Sequence, residues 1–184
     1  MVVVSNEMFY ILDDNLVHKC WWEEELWEGV WEWQRDVDTE LLHAYTIVTS
    51  GEDSVFVAEN DKGKGKIAYS TDGGATFELT KAIPEPGNMQ VIPDEEFDFN
   101  RFIYATSDEA EIYRWTIEGS TSWDELNPPE SDFYGLAQKG GALYGAYAEP
   151  REDKRGVART LVPHLETIRK SDWDSLEEGL EKYD

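Results

Sequence analysis

Val55-Phe56-Val57-Ala58, then Lys66-Ile67-Ala68-Tyr69-Ser70, then Phe77 form the clearest unit of a repeat that runs through the chain. Both runs are rich in β-branched and aromatic residues. The intervening Lys62-Gly63-Lys64-Gly65 supplies a turn, so the pair reads as a β-hairpin. Comparable opening runs lie at 8–12, 101–106 and 142–147, and comparable second runs at 111–115 and 156–161. Each unit closes on an aromatic residue followed by acidic and apolar ones: Trp33, Phe77, Trp123 and Trp173. With Phe9, Phe56, Ile103 and Leu143 as markers, the opening runs step by 47, 47 and 40 residues; the closing aromatics step by 44, 46 and 50.

A period of about 40–50 residues built from strands alone is the mark of propeller blades. A further candidate strand precedes each opening run, at 2–4, 44–48, 89–92 and 133–137. Each unit therefore reads as four strands from inner to outer. The predicted fold is all-β: a β-propeller of four four-stranded blades, at about 1–38, 39–86, 87–130 and 131–178, whether a whole ring or a half-ring. Apolar residues on consecutive positions fit inner strands packed on both faces. The rival is a β-sandwich of about 14 to 16 strands, which the regular period disfavours.

The first unit is the least regular. Residues 18–33 carry an apolar pattern that a helix would tolerate, but Gly29 and the tryptophans favour an outer hairpin. The acidic tail from 174 is expected to end in a helical turn. Pro84, Pro86 and the pair Pro128-Pro129 punctuate the boundaries between units.

Composition bounds the function. Lys and Arg number 16 against 40 Asp and Glu, a formal charge of −24. Affinity for nucleic acid comes from Lys and Arg displacing counterions, so a generic nucleic-acid binder is excluded. Docking on an anionic membrane is disfavoured for the same reason. Hydrophobic residues make up 40% of the chain and aromatics 13%, with 8 Trp, which argues for a packed core rather than disorder. Cys20 has no partner for an intramolecular disulfide and no His/Asn constellation, so it reads as a structural thiol. The start, Met-Val-Val-Val-Ser-Asn, lacks a basic segment and a long apolar run, so no signal peptide is read there. No stretch reaches the ~18 apolar residues of a membrane span. Compartment stays open: an intracellular protein, or a segment whose export signal lies elsewhere.

The most specific motif is Ser70-Thr71-Asp72-Gly73-Gly74-Ala75-Thr76-Phe77. Asp72 is placed to accept bonds from turn amides, and Gly73 and Gly74 supply positive φ. The hydroxyls of Ser70 and Thr76 are placed to close the loop, with Phe77 packed beneath. The segment resembles the Asp-box, or BNR repeat, Ser/Thr-x-Asp-x-Gly-x-Thr-Trp/Phe, and matches every specified position. The other units keep only fragments, such as Gly119 and Trp123, or Ser171 and Trp173. Asp-box propellers include sialidases and other glycosidases, sorting receptors, photosystem assembly factors and bacterial surface or S-layer-associated proteins. Residues 111–117 and 156–161 look most like the last group, which implies a cell-surface setting. The resemblance also implies that the box lies on the outer rim between third and fourth strands, so Ser70, Asp72, Gly74, Thr76 and Phe77 are structural.

Sialidase-like catalysis would need three arginines, a Tyr/Glu pair and an acidic proton donor converging from inner strands and channel loops. The candidate inner strands contain no arginine, and the family's Arg-Ile-Pro signature is absent. No catalytic residue is assigned. Glu95/Glu96 and Asp13/Asp14 carry little weight, because among 40 carboxylates some pair falls at glycosidase separation by chance. His18, His43 and His164 show no metal-ligand spacing. The lysines at 62, 64 and 66 lack the phosphate-loop pattern and read as an exposed turn. Residues 94–98 and 59–61 offer hard oxygen donors for Ca²⁺ without EF-hand or RTX spacing, so solvated loop charge is the preferred reading and no cofactor or metal is expected. Trp21, Trp22, Trp27, Trp31 and Trp33 form the candidate ligand or partner surface: packing between blades or chains first, stacking on sugar rings second. The expectation is a non-catalytic structural or protein-interaction module, with a second copy completing a ring if four blades do not close. The competing class is a glycoside hydrolase or glycan-binding propeller.

Overall fold

The computed structural model describes residues 1–24, 28–61, 64–83, 85–149 and 154–176, with Asp61 and Glu149 described by backbone alone. Strand after strand folds back antiparallel on its predecessor. The first blade is β1 (Val2–Ser5), β2 (Met8–Asp13), β3 (Leu16–Glu24) and β4 (Gly29–Trp33), with the short β5 (Val37–Asp38) also paired to β3. The second is β6 (Ala44–Ser50), β7 (Ser54–Asp61), β8 (Ile67–Ser70) and β9 (Glu78–Leu79). The third is β10 (Gly87–Pro93), β11 (Phe102–Ser107), β12 (Tyr113–Thr116) and β13 (Asp124–Glu125). The fourth is β14 (Phe133–Lys139), β15 (Ala142–Glu149), β16 (Lys154–Thr160) and β17 (Trp173–Leu176). The chain is an all-β, propeller-type array of four-stranded blades, with an inner strand at each position read from the sequence.

Residues 18–24 and 29–33 pair as the outer strands, with Cys20 opposite Trp33 and Trp22 opposite Trp31. Three features go beyond the repeat. The link between β10 and β11 contains a one-turn helix, α1 (Phe97–Asn100), whose Phe97 is buried edge-on against Phe56. Gly87 and Asn88 of β10 pair with Asp61 and Asn60 of β7, which joins the second and third blades into one continuous sheet. Strand β5 adds a fifth strand to the first blade. The tail beyond 176, Pro84 and the lysine at 62 lie outside the described residues.

Side chains alternate across each strand, so a blade has one face for the blade before it and one for the blade after. Tyr10 and Val17 of the first blade pack on Ile47, Val55 and Val57 of the second. One residue along, Phe56 and Ala58 point the other way and pack with Met89, Val91, Ile103 and Ala105 of the third. Tyr104 and Ile112 of the third meet Phe133, Leu143 and Tyr147 of the fourth. Middle blades are thus buried on both sides, and β8 and β11 carry buried residues at nearly every position. Packing runs from first to second, second to third and third to fourth; among the described residues no strand of the first blade packs extensively on the fourth.

Candidate functional site

The loop from Ser70 to Phe77 joins β8 to β9, the third and fourth strands of the second blade. Ser70 Oγ donates to Asp72 Oδ1 at 2.7 Å and accepts the Gly74 amide at 2.9 Å. Asp72 Oδ1 also accepts the amides of Ala75 (3.0 Å) and Thr76 (2.9 Å), while Thr76 Oγ1 donates to Asp72 Oδ2 at 2.6 Å. Gly73 and Gly74 hold φ of 72° and 80°, which a side chain would oppose. Burial acts upward on the Asp72 carboxyl, but the bonds from Thr76, Ser70 and Ala75 outweigh it and hold the group below its ordinary value. All of Asp72's partners lie inside its own loop. Phe77 is half-buried against the core shared with the first blade.

That loop is clasped from outside. Tyr10 Oη of the first blade lies 2.8 Å from the Glu52 carbonyl and 3.1 Å from that of Gly73, and the Gly73 amide donates to the Asp53 carbonyl. Burial, then the charges of Asp53, Glu52 and Asp72, push the Tyr10 phenol up to about 12. Nothing in the sequence singled out Tyr10 beyond its place in a β-rich run.

Beside the clasp is a cleft of about 380 Å³ lined by Ser5, Glu7, Met8, Lys19, Trp21, Trp22, Gln34 and Glu52. Trp21 and Trp22 are sequential strand residues and project to opposite faces of the blade. Trp22 shares its face with Trp31, edge to face at 5.5 Å, and Phe9 lies 5.4 Å from Trp31 and 6.0 Å from Trp33. The structure therefore brings together Trp22, Trp31 and Trp33 and separates Trp21 from them; Trp27 lies outside the described residues. Cys20 is buried on the same face, where burial pushes its thiol up, away from the reactive thiolate.

A second cleft, about 370 Å³, opens between the third and fourth blades and is lined by Asp94, Glu95, Glu96, Asn100, Gln138, Gly140, Gly141, Pro163 and His164. Here the reading of residues 94–98 as solvated loop charge needs correction for its first member. Asp94 is buried and accepts from Tyr104 Oη (2.7 Å), Gln138 Nε2 (2.8 Å), Asn100 Nδ2 (2.8 Å) and the Glu96 amide (2.8 Å). Burial raises its carboxyl, and those four donors more than reverse the effect. Gln138 also accepts the Glu95 amide, and Glu95 accepts the Gly141 amide. The cleft's carboxylates thus join the blades. Glu59, in the other acidic group, is corrected likewise: it is buried, and its two oxygens accept the Leu42 and Lys66 amides. Sequence could not distinguish these two acids from solvated neighbours, because their donors, 2, 6, 10 and 44 residues from Asp94 and 17 and 7 from Glu59, follow no single turn motif. Among the described residues no group of three or more His, Cys, Asp or Glu is placed to hold a metal ion.

The described arginines do not converge on an inner channel surface. Arg114 is buried on β12, where its Nη1 donates to the Pro163 and Leu165 carbonyls at 2.8 Å each and its guanidinium stacks 4.8 Å over Phe102. Arg159 pairs with Asp174 at 2.7 Å on the far side of the fourth blade. His18 bonds Asp36 at 3.0 Å, and the His43 carbonyl accepts the Asn60 amide.

No family model and no curated protein matches the chain. Among solved structures it is similar to the GH74 xyloglucanase from Xanthomonas campestris, with a TM-score of 0.38 and 10% identity. That likeness covers 89% of this chain and 36% of the xyloglucanase chain, so this chain spans little more than a third of that protein's length.

Proposed function

We propose that this chain is a non-catalytic propeller module of the Asp-box type that binds a protein through the outer face of its first blade. The observation that carries the reading is the aromatic sheet face built by Phe9, Trp22, Trp31 and Trp33, with Trp31 41% and Trp33 55% exposed. Rigid, amphipathic aromatics contribute much contact area at little entropic cost, which is why they anchor interfaces. Every Asp-box position of residues 70–77 is occupied, and Asp72 spends its bonds within the loop, which supports a structural role for the motif. A bacterial cell-surface setting goes with this reading through the resemblance of residues 111–117 and 156–161.

The test places a photoreactive phenylalanine analogue at position 33 in one preparation and at the exposed Leu165 in another, and irradiates each in extract of the source organism. Discrete protein adducts at 33 and none in common at 165 are expected. Equal labelling at both sites, or release of reducing sugar from polysaccharides by the purified chain, overturns the reading.

A further inference from the structure

Each blade junction in the chain joins one blade's following face to the next blade's preceding face, and this happens three times. Two such faces are left over. On the first blade, the register Val3–Phe9–Cys20–Trp33 sets these residues in one row across the sheet, with Ile11, Trp22 and Trp31 on the same side. Val3 is 63% exposed. This is the preceding face of a blade with no predecessor among the described residues.

On the fourth blade, the following face carries two rows, Gly135–Ala146–Val157–Leu176 and Ala137–Tyr144–Arg159–Asp174. Ala137, Ala146 and Leu176 are exposed. One face is bulky and aromatic; the other sets a small and aliphatic row beside a row that holds Tyr144 and the Arg159–Asp174 ion pair.

Charge follows the same division. The first face carries Asp13 and Glu24 at its ends and no Lys or Arg. The fourth blade's face carries Lys139, Arg155 and Arg159 with one acid of its own, Asp174; Arg159 pairs with Asp174 at 2.7 Å and Lys139 with Glu95 of the third blade at 3.8 Å. Over residues 1–42 there are 2 basic and 11 acidic residues, whereas 131–176 holds 7 of each. In a chain of net charge −24, the fourth blade is the region that an acidic blade approaches with least repulsion.

Resting on the reading that the first blade's outer face binds a protein, we propose that the occupant is the fourth blade of a second copy of this chain. Two copies related by a two-fold axis then form two identical seams, and their eight blades close a ring within the range propellers adopt. The aromatic row lies over the small residues of its partner. The acids at its ends face Lys139, Arg155 and Arg159.

The experiment uses the purified chain with the photoreactive residue at position 33. Light scattering is expected to give twice the 21.2 kDa chain mass, and the photo-adduct to map by mass spectrometry to β15 or β16 of the second copy. In parallel, Trp31→Glu/Trp33→Glu and Ala146→Trp are each expected to be monomeric, with native circular dichroism. Mixed, they regain a dimer, because one intact seam remains available between them. An adduct mapping to the first blade, or a dimer that survives Ala146→Trp, overturns the head-to-tail pairing and leaves the binding face standing. A monomer without adduct in purified form overturns self-association; labelling in extract then judges the binding face separately.

Discussion

Tyr10 in β2 and Gly73 in the β8–β9 loop stand 63 residues apart in sequence, yet the Tyr10 hydroxyl lies 3.1 Å from the Gly73 carbonyl oxygen. The same hydroxyl reaches Glu52, so one phenol ties the first blade to two turns of the second. The Ser70–Phe77 loop is thereby part of a blade junction as well as a turn.

Tyr10→Phe keeps the ring and removes the tie. It is expected to destabilise the chain by about 1–2 kcal/mol, since the two carbonyls lose the one hydroxyl proton they share. Urea unfolding measures it. A change within error would show that water replaces the phenol at no cost.

The phenol also sets an alkaline limit. Its folded value, about 12, stands above the ordinary tyrosine value of 10.0, so the folded state holds the proton more tightly than the unfolded chain. This contribution is full below the unfolded value and is lost as pH rises from there through the folded value. Tyr69, Tyr104 and Tyr113 are raised too, first by burial and then by bonds to Glu78, Asp94 and Glu85 respectively. Thermal midpoints are expected to fall steadily above about pH 10, less so in Tyr10→Phe.

Asp94 sets the acid limit. Its folded value is depressed, so its stabilisation is present above the unfolded carboxylate value and is lost as pH falls through the folded one. Asp94→Ala strands Tyr104, Gln138 and Asn100 and is expected to cost about 2–4 kcal/mol. The loss of stability as pH falls through and below the ordinary carboxylate range, followed by denaturant midpoints, should be shallower in the variant. An unchanged acid slope would remove Asp94 from the account.

Arg114 clasps the third blade to the segment between β16 and β17. Arg114→Lys keeps the charge but lacks the planar fork that reaches both the Pro163 and Leu165 carbonyls. A loss of about 2–3 kcal/mol is expected for Arg114→Ala, with Lys restoring less than half. Full rescue by Lys would show that charge alone acts there.

Gly145 faces the same junction, where an added Cβ would lie 2.7 Å from Ile112 Cδ1 and from Phe133 Cδ1. Gly145→Ala is expected to cost about 1–3 kcal/mol by overpacking. Gly135, with open space around its Cβ position, is the control and should tolerate alanine with little change. Equal tolerance at both sites would mean the third and fourth blades yield freely.

The strand plan was legible in the sequence because it is written locally. Phe9, Phe56, Ile103 and Leu143 recur at a nearly constant step, and turn residues separate the runs, so each blade's four strands follow from neighbours in the chain. The Ser70–Phe77 loop was legible for the same reason: Asp72 finds its donors within four residues. Asp94, Tyr10 and Arg114 were not legible as junction residues, and Glu59 was not legible as buried. Asp94 and Gln138 are 44 residues apart, Tyr10 and Gly73 63, and Arg114 and Pro163 49, while Glu59 accepts amides 17 and 7 residues away. A carboxylate's solvation depends on what arrives from elsewhere, and composition does not carry that.

By itself the sequence determined an acidic all-β chain of four repeating units with one well-formed loop, because strand alternation and turn chemistry act over a few residues. Tertiary structure alone decided which faces met. Alternation gives every blade two apolar sides, but only the packed array shows which are covered by a neighbour and that, among the described residues, Trp31 and Trp33 on one end and Ala137 and Ala146 on the other are left exposed.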